Sequence, residues 1–197
     1  VPTARRGQRL GDCFSTHPRG VTGAPWAAGL PSGYPEGRRM WVNVRFIDAN
    51  NALVAERGAY DVASADLVTA DTKVYEAKHG IDAAVAAATG LLAGENFHLT
   101  LANTKFKDNR IPPRGFTNAA YTANFMAPLG VVYADEQYWY DLRFPIPAGT
   151  ASVQTLLWHQ TTSKEFIEFL RDENHTDNSG QVAYDQWVQH GKSSPVR

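Results

Sequence analysis

Oxygen ligands are the functional groups that this sequence gathers most densely. The run Asp172-Glu-Asn-His-Thr-Asp-Asn-Ser-Gly180 sets carboxylates, amides and hydroxyls side by side. Calcium is a hard cation that takes such oxygens, and Asp172, Asn174 and Asp177 are the ligands this spacing offers. The EF-hand pattern is not met: the spacing to Gly180 is wrong and no Glu closes the loop. The same Asn, Asp and Ser residues also serve as turn formers and as N-caps of a following helix. The run therefore has two readings, calcium or capping. Asn174-His-Thr176 is in addition a glycosylation sequon, meaningful only in an exported chain.

The other reactive groups do not assemble into a site. Cys13 and His17 stand in Cys-Phe-Ser-Thr-His-Pro. Covalent c-type haem needs Cys-x-x-Cys-His, and a lone cysteine with an extra spacer fails that pattern, so no covalent haem is expected. One cysteine forms no internal disulfide and completes no usual zinc set. A thiol that is buried or joined to another chain is the expectation. His17, His79, His98, His159, His175 and His190 are dispersed, with no helical metal pair among them. Asp135 and Glu136 are adjacent, so on a strand they face opposite ways and make a poor acid/base pair. Nucleophile-elbow, P-loop and dinucleotide fingerprints are absent. The expectation is a chain that is not an enzyme.

The elements that must carry these residues are mostly strands. Trp41-Val-Asn-Val-Arg-Phe-Ile47 puts Val42, Val44 and Phe46 on one face. The turn formers Asp48 to Asn51 then return the chain through Ala52 to Glu56. Lys73 to Ala77 predicts a further strand, and the Ala-rich stretch Ile81 to Leu92 predicts a helix. Phe97 to Phe106 alternates as a strand does, which places His98 in a strand. Tyr138, Tyr140, Leu142, Phe144 and Ile146 form the clearest alternation and predict the buried face of one strand. Ala151 to Gln160 is apolar on both faces, which predicts a central strand. Thr162-Ser-Lys-Glu165 has capping-box spacing with Thr162 at the N-cap. A second helix over Gln181 to His190 is predicted to bury Tyr184, Trp187 and Val188, with Gly191 as its stop.

The fold class expected is mainly β: an antiparallel β-sandwich with a C-terminal helical pair and an extended N-terminal arm. Residues 1–40 form the arm, 41–161 the sandwich body and 162–197 the helical pair. The arm is rich in Gly, Pro and Arg and has no apolar period. Arg5, Arg6, Arg9, Phe14, Trp26 and Tyr34 are its candidate partner-binding residues, lying on its own domain or on a neighbouring subunit. A head-to-tail contact of that kind gives a ring or a filament.

Composition narrows the partners. The net charge of −1 predicts no nucleic-acid surface, and no apolar run reaches the roughly 18 residues of a bilayer span. One Cys, two Met and five Trp, in short segments punctuated by Gly and Pro, fit an exported β-protein. No signal peptide is visible. The chain opens at Val1, which fits removal of an N-terminal piece.

Three blocks carry a family resemblance. Asp108-Asn-Arg-Ile-Pro-Pro-Arg-Gly-Phe116 resembles a sequence that follows the haem-binding part of bacterial multihaem c-type cytochromes. Gln160-Thr-Thr-Ser-Lys-Glu-Phe-Ile-Glu-Phe-Leu170 is similar to the same family, as are Tyr184-Asp-Gln-Trp and His190-Gly-Lys-Ser-Ser-Pro-Val196. The resemblance spans about residues 41–197. It implies a non-haem, β-rich, extracellular or periplasmic domain that accompanies electron-transfer proteins. No haem-binding motif is present, so haem ligation is carried to no residue of this chain. The function expected is structural: self-association into a homo-oligomer or filament, or docking on a multihaem cytochrome. A carbohydrate-binding module is the alternative, suggested by Tyr133, Tyr138, Trp139 and Tyr140. Trp139 decides it: exposed beside a groove it favours sugar, buried under the arm it favours assembly.

Overall fold

The computed structural model describes residues 14–17, 20–23 and 37–197, the first two segments by their backbone alone. The first half of the chain contains β1 (Phe14–His17), β2 (Gly20–Gly23), β3 (Arg39–Ile47), β4 (Leu53–Arg57), β5 (Tyr60–Asp61), β6 (Asp66–Leu67), β7 (Val74–Tyr75), β8 (Ala77–Ile81), α1 (Ala83–Thr89) and β9 (Gly94–Glu95). The second half contains β10 (Thr104–Asp108), α2 (Asn118–Ala123), β11 (Trp139–Tyr140), β12 (Ser152–Gln160), α3 (Lys164–Asp172) and α4 (Ser179–Gln189). All the named strand pairings are antiparallel. The fold is thus mainly antiparallel β with a C-terminal helical pair, as the sequence predicts.

β3 is the spine. It pairs β12 on one side and β4 and β7 on the other. Its even residues Met40, Val42, Val44 and Phe46 join Tyr75 and Ile111 in the main core, beneath Tyr140, Leu142, Phe144 and Leu157. Each such buried side chain contributes about 1.5–3 kcal/mol. The opposite face is buried too at Arg39, Trp41 and Asn43. There Trp41 Nε1 donates to Gly58 O (3.1 Å), and Asn43 Nδ2 donates to Glu56 Oε1 (2.7 Å) and Gly58 O (3.0 Å). Gly58 has φ +68°, and a Cβ there would stand 2.8 Å from Val42 O, so only glycine fits. In the turn after β3, Asp48 Oδ1 accepts from Asn50 N and Ala52 N, both at 2.8 Å.

β8 pairs β10 and β9 in a second sheet, and β5 pairs β6. β1 and β2 form a hairpin whose second strand pairs β11, Trp139 opposite Thr22. α1 is capped by Asp82, whose carboxylate accepts from Val85 N, and ends at Gly90 in the left-handed conformation. α3 and α4 bury Ile167 and Trp187 against Ala65.

Several expectations are corrected. Among the described residues β12 is an edge strand: the order is β12-β3-β4, and Ser152 to Thr155 are exposed. Both its faces are apolar, but β3 takes the interior position because it pairs strands along both sides, whereas the outer side of β12 meets only Val196, at His159, among the described residues. The alternation at 138–146 is real as half-burial of Tyr138, Tyr140, Leu142 and Phe144. Among the described residues only Trp139–Tyr140 of this stretch joins a ladder, however, and Ile146 is exposed. Residues 96–103 form a loop, so His98 is not in a strand. The N-cap of α3 is Ser163, whose Oγ accepts from Phe166 N, one position beyond Thr162. Val188 lies on the exposed side of α4. Among the described residues no helix is long and apolar enough to cross a membrane.

Candidate functional site

The densest charged arrangement surrounds the start of β3. Arg39, buried, donates from Nε to Gln160 Oε1 (2.8 Å) and from Nη1 to Glu165 (3.2 Å). Gln160 passes the contact on: its Nε2 donates to Tyr60 Oη (2.9 Å) and Ser193 O (3.2 Å). One amide therefore ties β3, β5, β12 and the segment after α4. Beside this hub lies a cavity of about 300 Å³, walled by β3, β8, β9 and α3. Its carboxylates face cations: Lys78 Nζ lies 3.0 Å from Glu95, and Lys107 Nζ lies 2.7 Å from Glu76. Burial pushes the Glu165 carboxyl up, but the Arg39 charge and the hydrogen bonds it accepts outweigh that and hold it below its ordinary value. It stays ionised at neutral pH, the wrong state for a general acid. The wall suits charge pairing and adhesion between elements better than proton transfer.

The block Asp108 to Phe116 is a scaffold. Asp108 is buried and accepts from Arg110 Nε (2.7 Å) and Nη2 (2.8 Å), the bidentate geometry that favours arginine. Asn109 Oδ1 accepts from Glu76 N and its Nδ2 donates to Val74 O, so its side chain extends the contact with the β7–β8 segment where regular pairing of β10 ends. Ile111 and Phe116 are fully buried. Arg114 takes a different role from Arg110 and stacks over Tyr138 at 4.7 Å.

Of the three candidate metal ligands, Asp172 ends α3 and Asn174 and Asp177 lie in the loop joining α3 to α4. Asp172 holds Arg171, at 2.6 and 3.0 Å. Asn174 Nδ2 donates to Asp177 Oδ1 (2.8 Å), which also accepts from Ser179 N (2.8 Å) at the start of α4. Asn174 and Asp177 are thus brought together, while Asp172 is engaged by Arg171. Among the described residues no group of three or more His, Cys, Asp or Glu could hold a metal ion. Asp135 accepts from Asn118 N (2.8 Å) and anchors α2. Phe14 opens β1 and is described by its backbone alone; Arg5, Arg6, Arg9, Cys13, Trp26 and Tyr34 lie outside the described residues. Trp139 is 39% exposed, with its backbone paired to β2.

Sequence reasoning missed a run of exposed apolar residues. In the loop after α2, Phe125 is 93% and Val132 91% exposed, with Met126 and Leu129 partly so. Phe125 has φ +57°, a left-handed conformation that strains a bulky residue. Met126 N donating to Tyr121 O (2.8 Å) helps to fix it there. The signal was present as Phe-Met-Ala-Pro-Leu-Gly, an apolar run without period between a helix and a turn.

No family model and no curated protein matches this chain. Among solved structures it is similar to the crystal structure of a penta-heme cytochrome c552 from Thermochromatium tepidum, at 12% identity and a TM-score of 0.47. The likeness covers 93% of this chain and 35% of that one, so the chain spans about a third of the cytochrome's length.

Proposed function

We propose that this chain is a non-catalytic structural module of an extracellular or periplasmic assembly, which joins further copies of itself or docks on a multihaem cytochrome. The observation that carries the reading is the loop bearing Phe125 and Val132. An aromatic ring held in water by a strained backbone resembles the anchors that interfaces use, since strain persists where a function repays it. The cytochrome half of the reading rests on the three sequence blocks. These are also the parts that build the scaffold, through Asp108, Asn109, Phe116, Gln160 and Trp187.

The test is sedimentation equilibrium of the full chain, together with binding to a purified multihaem c-type cytochrome by interferometry. Association is expected in at least one format, weakened roughly tenfold or more by Phe125→Ser. No association in either format overturns the reading. A carbohydrate-binding module remains the second reading, favoured by the half-exposed Trp139. Retention on a polysaccharide column that Trp139→Ala abolishes would establish it instead.

A further inference from the structure

β12 has the sequence of a sheet interior and the position of a sheet edge. It pairs β3 over its whole length, from Ser152 opposite Ile47 to Gln160 opposite Arg39, without a register shift. On its other side His159 exchanges both backbone bonds with Val196, at 2.8 and 2.9 Å. Backbone groups alternate direction with period two along a strand. Those of Val153, Thr155 and Leu157 therefore point the same way as His159, away from β3. Among the described residues no backbone group pairs with them, and Val153 is 48% exposed.

The opposite edge of the sheet is guarded. β4 carries Glu56 and Arg57, and its pairing with β3 shifts register between Phe46 and Ile47. Charges and bulges are the devices that keep an edge from accepting another strand. Ser152 to Trp158 contains no charge, no Pro, no Gly and no bulge. An edge without guards is a template for strand addition.

We propose that this edge pairs with the same edge of a second copy, antiparallel about a two-fold axis through Thr155. The inference rests on the assembly reading above and gives self-association a surface separate from the Phe125 loop, which is left to a docking partner. The edge is complementary to itself. The two-fold register sets Thr155 opposite its own copy and Val153 opposite Leu157, so apolar meets apolar and no charge meets its like. The next outward-facing position, His159, is already bonded to Val196, so the ladder ends there. The result is one continuous sheet in the order β4-β3-β12-β12-β3-β4, a closed two-fold dimer in place of a head-to-tail chain.

Sedimentation of the full chain is expected to give twice the 21.7 kDa chain mass. Thr155→Lys places two like charges at the axis and should return the mass to 21.7 kDa, with the circular dichroism spectrum unchanged. Thr155→Cys, in a Cys13→Ser background, should form an intermolecular disulfide under mild oxidant, because paired Cα atoms lie about 5.5 Å apart. Val153→Cys, displaced from the axis, should not. A monomer at every concentration overturns both this interface and the self-association half of the proposed function. A dimer that survives Thr155→Lys, or that cross-links equally through positions 153 and 155, overturns this interface and leaves the assembly reading standing.

Discussion

Arg39 and Glu165 form an ion pair of unequal partners: the arginine side chain is 7% exposed and the carboxylate 61%. Water can replace the arginine for Glu165, but nothing can replace the carboxylate for Arg39, whose Nη2 already has no hydrogen-bond partner among the described residues. Glu165→Gln should therefore destabilise the fold by about 1–3 kcal/mol, below the range for a fully buried pair because water reaches one side. Urea denaturation measures it, and a change near zero would show that the guanidinium relaxes to solvent.

Acid should weaken the protein in two stages. Burial, and then the nearby Arg38 charge, hold the His159 imidazole below its ordinary 6.5. The unfolded chain thus takes up that proton first, and stability is lost as pH falls below 6.5. Glu165 has a depressed folded value, so its contribution is present above the ordinary 4.5 and is lost as pH falls through the folded value. Denaturation midpoints from pH 8 to pH 3 should resolve both stages, and His159→Gln should remove the upper one alone. An upper stage that survives the substitution belongs to another group.

Phe116 and Phe144 separate full from partial burial. Phe116 is 0% exposed and packs edge-on to Tyr121 at 4.6 Å. Phe116→Ala should cost about 3–5 kcal/mol. Phe144 lies partly buried over the β3 face, and its truncation should cost about half as much. A denaturant series with the reverse order would misplace the core.

The cap of α3 is testable at single-residue resolution. Ser163→Ala should lose about 1 kcal/mol, and Thr162→Ala only a few tenths. Equal losses would mean that the two hydroxyls share the role.

Metal at the loop between α3 and α4 has a direct test. Asp172 and Asp177 already accept from Arg171, Asn174 and Ser179, so EDTA and added calcium are expected to leave the melting temperature unchanged. A rise on adding calcium, reversed by EDTA, would mean that the ion displaces those donors.

What the sequence revealed depends on the range of the interactions involved. The β3–β4 hairpin was legible because Asp48 and Asn51 build its turn locally. The amphipathic face of α3 was legible as well, but its start was displaced by one residue because Thr162 and Ser163 are both competent caps. The half-burial of Tyr138 to Phe144 was readable as alternation. Ladder membership was not, since it needs a partner strand that periodicity does not name. The edge position of β12 was hidden for the same reason. The Arg39-Gln160-Glu165 hub joins residues 121 and 126 positions apart, and no local pattern marks it. At the candidate metal loop, composition offered two uses, and only the hydrogen bonds show which atoms are already engaged.

The pairing of β3 with β12 also sets an order of events during synthesis. β3 emerges early and can close its hairpin with β4 at once, because only a short turn separates them. Its other side stays bare until residue 160 has cleared the ribosome, since Arg39 pairs with Gln160. At about 5–20 residues per second, that interval lasts roughly 6–25 seconds. During it, a nascent chain exposes one side of a strand that the finished molecule buries over most of its length. The C-terminal third is therefore the part whose arrival completes the sheet, and a chain cut short before β12 retains the hairpin but lacks the partner for its central strand.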